Sequence, residues 1–239
     1  MQKQFTAPIT YFLQEGKSNL EHCLKIAFES AKQQSVNKIV VFTAIGDGIR
    51  VALETFCGLP DFAHIRLVAV TFPVGQAFTD AEGKAIHVDI SAENTLLMKK
   101  HEIPVIKAHL PFDPIATFHQ RGGVLGQDMS LVGEALSMFG GSMSLCVQAI
   151  LMACDAGAIG LGEHVIAVTS DTAILAQASC TSRMLRELVI REILCKPAVL
   201  SIGRGEISEK VPLQMELPGP AEQKALPTQG GESEPPENS

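Results

Sequence analysis

The stretch Lys38–Ala52, KIVVFTAIGDGIRVA, decides the fold. Ile39–Phe42 is a short apolar run rich in β-branched residues, which is typical of a strand buried on both faces of a parallel sheet. A loop with two glycines follows, and helical spacing resumes from Ile49. A strand, loop and helix in this order point free backbone N–H groups and the positive helix end at one spot beyond the sheet. Such a spot suits an anion, usually a phosphate, although two glycines can also serve only to turn the chain.

The composition limits the function classes. The chain has 239 residues, 46% of them hydrophobic, which is enough for one large core. Its formal net charge of −7, its lack of tryptophan and its single tyrosine argue against nucleic-acid binding. No apolar run reaches the roughly 18–20 residues of a membrane span, and the first residues lack the apolar core of a secretory signal. Six scattered cysteines without a CxxC pair indicate buried free thiols in a cytoplasmic protein rather than disulfides or a metal site.

Strand and helix patterns alternate through the first half of the chain. Ile9–Leu13 predicts a short strand, and Ser18–Glu21 has the pattern of a capping box before a helix. After the central unit, strands are predicted at Ile65–Phe72 and Pro104–Ala108, with a helix capped by Ser91 between them. This order predicts a three-layer α/β/α domain with a mostly parallel sheet. Ligands of such sheets bind beyond the carboxyl ends of the strands, near the switch in strand order.

The second half begins with an interruption of the pattern at residues 109–128, HLPFDPIATFHQRGGVLGQD. An excursion of this length is uncommon unless it covers something. Helices are predicted next at Asp128–Phe139 and Met143–Ala156, where the second is apolar on most sides and is therefore expected to be buried. The remaining predictions are strands at His164–Thr169 and Thr172–Ala178, a helix at Thr181–Leu194 and a last edge strand at Pro197–Ile202.

The composition changes at about Gly205. From there the chain is dense in Pro, Glu, Gly, Gln and Ser and ends in GGESEPPENS. Such a segment cannot bury enough apolar surface to offset the entropy lost on ordering. The sequence therefore predicts a single α/β domain over residues 1–204 and a disordered acidic tail over residues 205–239.

Several segments resemble known proteins. KIVVFTAIGDGIRVALE resembles the strand, loop and helix of the pyruvate kinase C-terminal α/β domain, whose loop grips a sugar-phosphate effector. MFGGSMSLCVQAILMACDAGAIGLGEHVIAVTSDTAIL, with REILCKP after it, is similar to stand-alone microbial proteins that share this fold and lack the catalytic barrel. ITYF and VTFPVGQAF extend the likeness, which spans roughly Ile9 to Pro197. The resemblance implies a pyruvate kinase C-terminal domain-like fold and bound flavin mononucleotide (FMN). The chain differs from that family in Asp47 and in the short Thr169–Asp171 segment after Val168.

The candidate ligand contacts lie in the loops that follow the predicted strands. Thr43 offers a hydroxyl, and Gly46 allows the backbone to approach an oxygen closely. Asp47 would repel a nearby phosphate by about 3–4 kcal/mol at an effective dielectric near 20, which exceeds the roughly 0.3–1 kcal/mol gained at a helix terminus. We therefore interpret Asp47 as a helix N-cap or as a partner for ligand hydroxyls, such as those of a ribityl chain. The candidate set is Thr43, Ala44, Gly46, Asp47, Gly48, Thr71, Gly75, Phe78, Arg121, Gly122, Gly123, Thr169, Ser170, Asp171 and Thr172.

Two of these candidates have a second interpretation. Phe78 either stacks on a planar ring of the ligand or anchors its own loop, and Arg121 is either the counter-charge of an anion or a solvated side chain beside a glycine turn. A thiol–histidine pair formed by Cys146 and His119 is disfavoured because Cys146 lies in an apolar helix.

Three functions fit these patterns. The first is a small-ligand binding domain for a phosphorylated ligand, with FMN as the first candidate. The second is a flavin-dependent enzyme or one acting on a phosphorylated metabolite, although no pair of general base and nucleophile is recognisable. The third is a structural or partner-binding module without a ligand. We expect no metal, nucleic-acid or membrane partner, and the apolar helix surface allows a homo-oligomer.

Overall fold

A seven-stranded sheet lies at the centre of the residues that the structure, a computed structural model, describes: 6–79, 82–113 and 125–198. All of them belong to one compact unit, Met1–Gly203. The sheet strands are β1 (Thr10–Phe12), β2 (Lys38–Phe42), β3 (Arg66–Thr71), β6 (Val105–Lys107), β7 (His164–Val168), β8 (Ala173–Gln177) and β9 (Val189–Pro197). A separate antiparallel hairpin is formed by β4 (Ala77–Thr79) and β5 (Ala85–His87). The helices are α1 (Leu20–Gln33), α2 (Asp47–Thr55), α3 (Ala92–Lys100), α4 (Leu125–Ser137), α5 (Met143–Asp155) and the single turn α6 (Met184–Glu187).

The sheet is mostly parallel, as predicted. Its strand order is β1-β9-β8-β7-β2-β3-β6. β8 runs antiparallel to both of its neighbours, and the other neighbouring pairs are parallel. From β2 the chain moves outward to β3 and β6 and then returns to β7 on the other side of β2. The strand order therefore reverses between β2 and β7, which is where a ligand crevice forms in sheets of this type.

Helices cover both faces of the sheet. Along β2, Ile39 and Val41 belong to one hydrophobic core and Val40 and Phe42 to the other, because successive side chains of a strand point to opposite faces. α1, α2 and α3 pack on the first face, and α5 with α4 packs on the second. The α/β prediction is confirmed in this three-layer form. None of the helices in the described ranges is long and apolar enough to cross a membrane.

The helix predicted at Thr181–Leu194 is wrong. A short 3-10 turn, Thr181–Arg183, and the single turn α6 are followed by Leu188 in an extended conformation. β9 then runs to Pro197 and pairs with β8 and β1. Its β-branched residues suit a strand, and pairing on both sides outweighs the helical spacing that the segment also carries. The predicted edge strand Pro197–Ile202 lies outside the described ranges beyond residue 198. Residues 114–124 and the predicted tail also lie outside them.

The predicted helix ends are partly confirmed. The Ser91 side chain accepts a hydrogen bond from Asn94 N at 3.1 Å, so it caps α3 as predicted. The capping box before α1 is absent, because Ser18 lies in a 3-10 turn, Lys17–Asn19, and the N-cap Asn19 makes no side-chain capping bond. Its amide Nδ2 donates instead to Gln14 O at 2.7 Å. The chain therefore enters α1 through a turn, and this turn brings Lys17 to the rim where β2 ends.

Candidate functional site

A cleft of about 320 Å³ lies where β2, β3 and β7 end, at the switch in strand order. Its polar lining comes from Lys17, Thr43, Asp47, Ser142, Thr169 and Ser170. Its apolar lining comes from Leu20, Phe42, Ile45, Phe72 and Leu145, and Ala44 and Gly48 complete it. The volume is at the small end of the range found for ligand pockets. The cleft thus combines one charged corner with an apolar wall.

The loop after β2 is held by its own threonine. Thr43 Oγ1, which is buried, accepts hydrogen bonds from Gly46 N at 3.1 Å and from Gly48 N at 3.3 Å. Two of the amides predicted to face an anion are therefore already satisfied within the loop. Ala44, Ile45 and Asp47 of the same loop line the cleft.

Gly46 has a conformation and a packing environment that require glycine in this loop. It has φ +96°, in the left-handed region that favours glycine, and it is the N-cap of α2. A Cβ at this position would lie 2.6 Å from Asn94 Cβ, and Asn94 Nδ2 donates to Ile45 O at 2.9 Å. Gly46 therefore allows α3 to pack against the loop. Asn94 occupies the side of Gly46 where a Cβ would lie, and Gly46 is not among the residues that line the cleft, so its close approach to a ligand oxygen stays a prediction.

Asp47 is not the N-cap of α2, because Gly46 holds that position and no side-chain capping bond is made. Asp47 is the first residue of the helix and forms ion pairs with Lys17 and, at 3.8 Å, with Arg50 Nη2. A hydrogen bond from Lys17 lowers the pKa of Asp47 despite the opposing effect of burial, and the charges of Lys17 and Arg50 act in the same direction. Both partners fix the carboxylate at the charged corner of the cleft.

Lys17 is the cation that sequence reasoning missed. It lines the cleft and has a side chain that is 66% exposed. Its partner Asp47 is 30 positions away along the chain, so no local spacing links the two residues. The one available signal was the segment GKSN before α1, since the start of a helix that follows a parallel strand lies at the carboxyl rim of the sheet.

Asp171 lies behind the cleft wall and joins three segments. Its Oδ2 accepts from Gly16 N at 2.8 Å, and its Oδ1 accepts from Ser142 Oγ at 3.2 Å and from Thr172 Oγ1 at 2.9 Å. Thr172 Oγ1 in turn accepts from Ser142 N at 3.0 Å. Asp171 and Thr172 are both buried. Both were predicted as ligand contacts, but they position Lys17 and Ser142 and do not line the cleft.

Thr169 and Ser170 do line the cleft, at the end of β7. Thr169 is buried, and its Oγ1 accepts from Thr172 N at 3.2 Å and donates to Thr172 O at 3.3 Å. The tight turn from β7 to β8 is closed by these bonds. Ser170 is partly exposed at the tip of this turn, so its hydroxyl is the more accessible of the two.

The candidates after β3 lie outside the cleft. Thr71 is buried, and its Oγ1 donates to Ala44 O at 3.4 Å, which ties β3 to the loop after β2. Gly75 has φ +85° and belongs to the turn toward β4. Phe78 packs edge-on against Phe72 with ring centroids 5.1 Å apart, and it is Phe72 that lines the cleft. The second interpretation of Phe78, as an anchor for its own loop, fits this contact.

The remaining candidates Arg121, Gly122 and Gly123, like His119, lie outside the described residues. Cys146 is buried in α5, and its Sγ donates to Thr172 O at 3.5 Å. Burial raises the pKa of the Cys146 thiol well above its ordinary value, which makes it a poor nucleophile. Among the described residues there is no group of three or more His, Cys, Asp or Glu side chains that could hold a metal ion.

The cleft therefore gathers six of the predicted residues: Thr43, Ala44, Asp47, Gly48, Thr169 and Ser170. No model of a known protein family matches the chain. A lysine and a helix N-terminus at one end can bind an anion, hydroxyls of serine and threonine can hydrogen-bond a polar chain, and the apolar wall can hold a ring or alkyl group.

Proposed function

We propose that this protein is a small-ligand binding domain for a phosphorylated ligand, with FMN as the first candidate. The observation that carries the proposal is the position of Lys17 in a cleft at the carboxyl ends of the strands, beside the N-terminus of α2. A lysine ammonium and free backbone amides at a helix start are the groups that recognise phosphate in many proteins.

The other walls of the cleft fit the rest of such a ligand. Phe72, Leu20 and Leu145 offer an apolar surface for a flat ring. The hydroxyls of Ser142 and Ser170 can pair with a polyhydroxyl chain. Lys17 is the residue that would hold the phosphate. A bound flavin would supply electron-transfer chemistry. The described residues of the cleft do not indicate a particular reaction, so we propose binding only.

The location and class of the fold also support the proposal. The cleft lies between β2 and β7, at the reversal of strand order, where open α/β sheets bind their ligands. We extend the proposal to a pyruvate kinase C-terminal domain-like fold. All six cysteines lie in the described ranges as free thiols, which favours a reducing compartment such as the cytoplasm.

The proposal is tested by titrating the purified protein into FMN and into riboflavin while following flavin fluorescence. Riboflavin has the same ring and ribityl chain but no phosphate. We expect FMN to bind more tightly than riboflavin. We also expect Lys17→Met to weaken FMN binding at least about tenfold, which corresponds to about 1.4 kcal/mol, because the phosphate loses its cation.

Lys25→Met is the matched control. It removes the same charge from an exposed position on α1, where Lys25 faces Glu29 at 4.0 Å outside the cleft. It should leave FMN affinity unchanged. Failure of the parent protein to bind FMN, or equal affinities for FMN and riboflavin in all variants, would contradict the proposal.

A further inference from the structure

The anion that Lys17 binds in this structure is the carboxylate of Asp47. This carboxylate lies in the first turn of α2, where a helix stabilises negative charge, and its side chain is 17% exposed. Lys17 and Arg50 supply two positive charges to this corner, and Asp47 and Glu54, which Arg50 Nη1 contacts at 3.3 Å, supply two negative ones. An anionic ligand in the cleft therefore meets a corner whose principal cation already has a partner.

We propose that Asp47 is an internal competitor for the anionic group of the ligand, so that a phosphate binds by taking Lys17 from Asp47. The inference rests on the proposed function of the cleft and adds how its affinity is set. A phosphate and the carboxylate repel each other at close range, so they cannot both use the same ammonium at full strength. Asp47 thus lowers the affinity of the cleft for anions below the value that Lys17 alone would give.

The geometry permits this exchange. The Lys17 side chain is 66% exposed, and a lysine carries its charge on a flexible four-carbon stem, so the ammonium can turn from Asp47 toward the cleft. When Lys17 leaves, Asp47 keeps Arg50, one helical turn away, as a second partner at 3.8 Å. The carboxylate is therefore not left unpaired, and the exchange avoids the large cost of an isolated, partly buried charge.

The test measures the dissociation constants of inorganic phosphate and of FMN for four proteins: the parent, Asp47→Asn, Lys17→Met and the double variant. Asp47→Ser is a second neutral substitution in case the asparagine variant does not fold. Glu29→Gln is the matched control, because it removes one negative charge from an exposed ion pair on α1 outside the cleft. Circular dichroism checks that each variant is folded.

We expect Asp47→Asn and Asp47→Ser to bind both anions about tenfold more tightly than the parent. Glu29→Gln should bind like the parent, and the gain should vanish in the double variant because Lys17 is the group released. Equal or weaker binding by both Asp47 variants, with a parent that binds, overturns the inference and leaves the proposed function intact. Binding by the Asp47 variants without binding by the parent overturns both, because phosphate then does not take Lys17 from Asp47 in the natural chain. Absence of binding in every protein overturns both.

Discussion

At the residue scale, the charge of the site depends on the ion pair between Lys17 and Asp47. From the sequence alone, we expect a carboxylate at the start of α2 to repel a nearby phosphate. The sequence could not show that Lys17 neutralises that carboxylate, because a contact across 30 positions leaves no periodic pattern. Asp171 illustrates the same limit. Its place after a predicted strand suggested a ligand contact, but its three hydrogen bonds inside the protein became visible only when distant segments were brought together.

The lowered pKa of Asp47 predicts an acid-dependent contribution to stability. The carboxyl has an ordinary pKa of about 3.9 in the unfolded chain and a lower pKa in the folded protein. Its stabilising contribution is therefore fully present above about pH 4 and is lost as the pH falls through the lower, folded value. We expect Asp47→Asn to be less stable than the parent at pH 7, and the difference in the free energy of unfolding to shrink below about pH 4.

Urea unfolding at a series of pH values from neutral to acid measures this difference. Glu29→Gln, in an exposed pair on α1, should show little difference at any pH. A difference between the parent and Asp47→Asn that stays constant or grows toward acid pH would be incompatible with the ion pair described here.

At the scale of single elements, the loop between β2 and α2 combines predictable and unpredictable features. The strand, the two glycines and the helix are recognisable from residue types alone. The hydrogen bonds that Thr43 Oγ1 accepts from two amides of this loop are not recognisable in the same way, because they depend on one side-chain rotamer. β9 was mistaken for a helix because its apolar spacing fits both structures, and only its pairing with β8 and β1 decides between them.

The conformation of Gly46 gives a prediction for this loop. Gly46→Ala places a Cβ at φ +96° and 2.6 Å from Asn94 Cβ, so both the backbone and the packing of α3 are strained. We expect a loss of at least about 2 kcal/mol in the free energy of unfolding. Gly58→Ala is the matched control, because no heavy atom lies within 4 Å of an added Cβ there. Urea unfolding of both variants checks the prediction, and equal stability of the two would show that Asn94 does not limit this position.

At the scale of the whole molecule, the alternation of strands and helices was enough to predict a mostly parallel sheet, and a ligand site at its carboxyl rim stays a prediction. The sheet order and the location of the cleft between β2 and β7 follow that expectation. The antiparallel direction of β8 follows from the short connection between Val168 and Ala173, because a parallel neighbour would need a crossover of about a dozen residues. The parallel pairing of β1 with β9 could not be predicted, since it depends on how the two ends of the described domain meet. Asp171 binds Gly16 and Ser142, which lie far from it along the chain, and these long-range contacts explain why Lys17 and Ser142 were missed.

The most direct test of the account is to map FMN binding on the ¹⁵N-labelled protein by the chemical shifts of its backbone amides. Binding at the proposed cleft predicts that the largest changes fall on Lys17, on residues 43–48 and on Ser170, all of which lie at the carboxyl rim. The opposite rim has its own cleft, lined by His64, Arg66 and His101 among others, and its amides should not shift. Changes centred on that rim, or no changes at saturating FMN, would contradict the central claim.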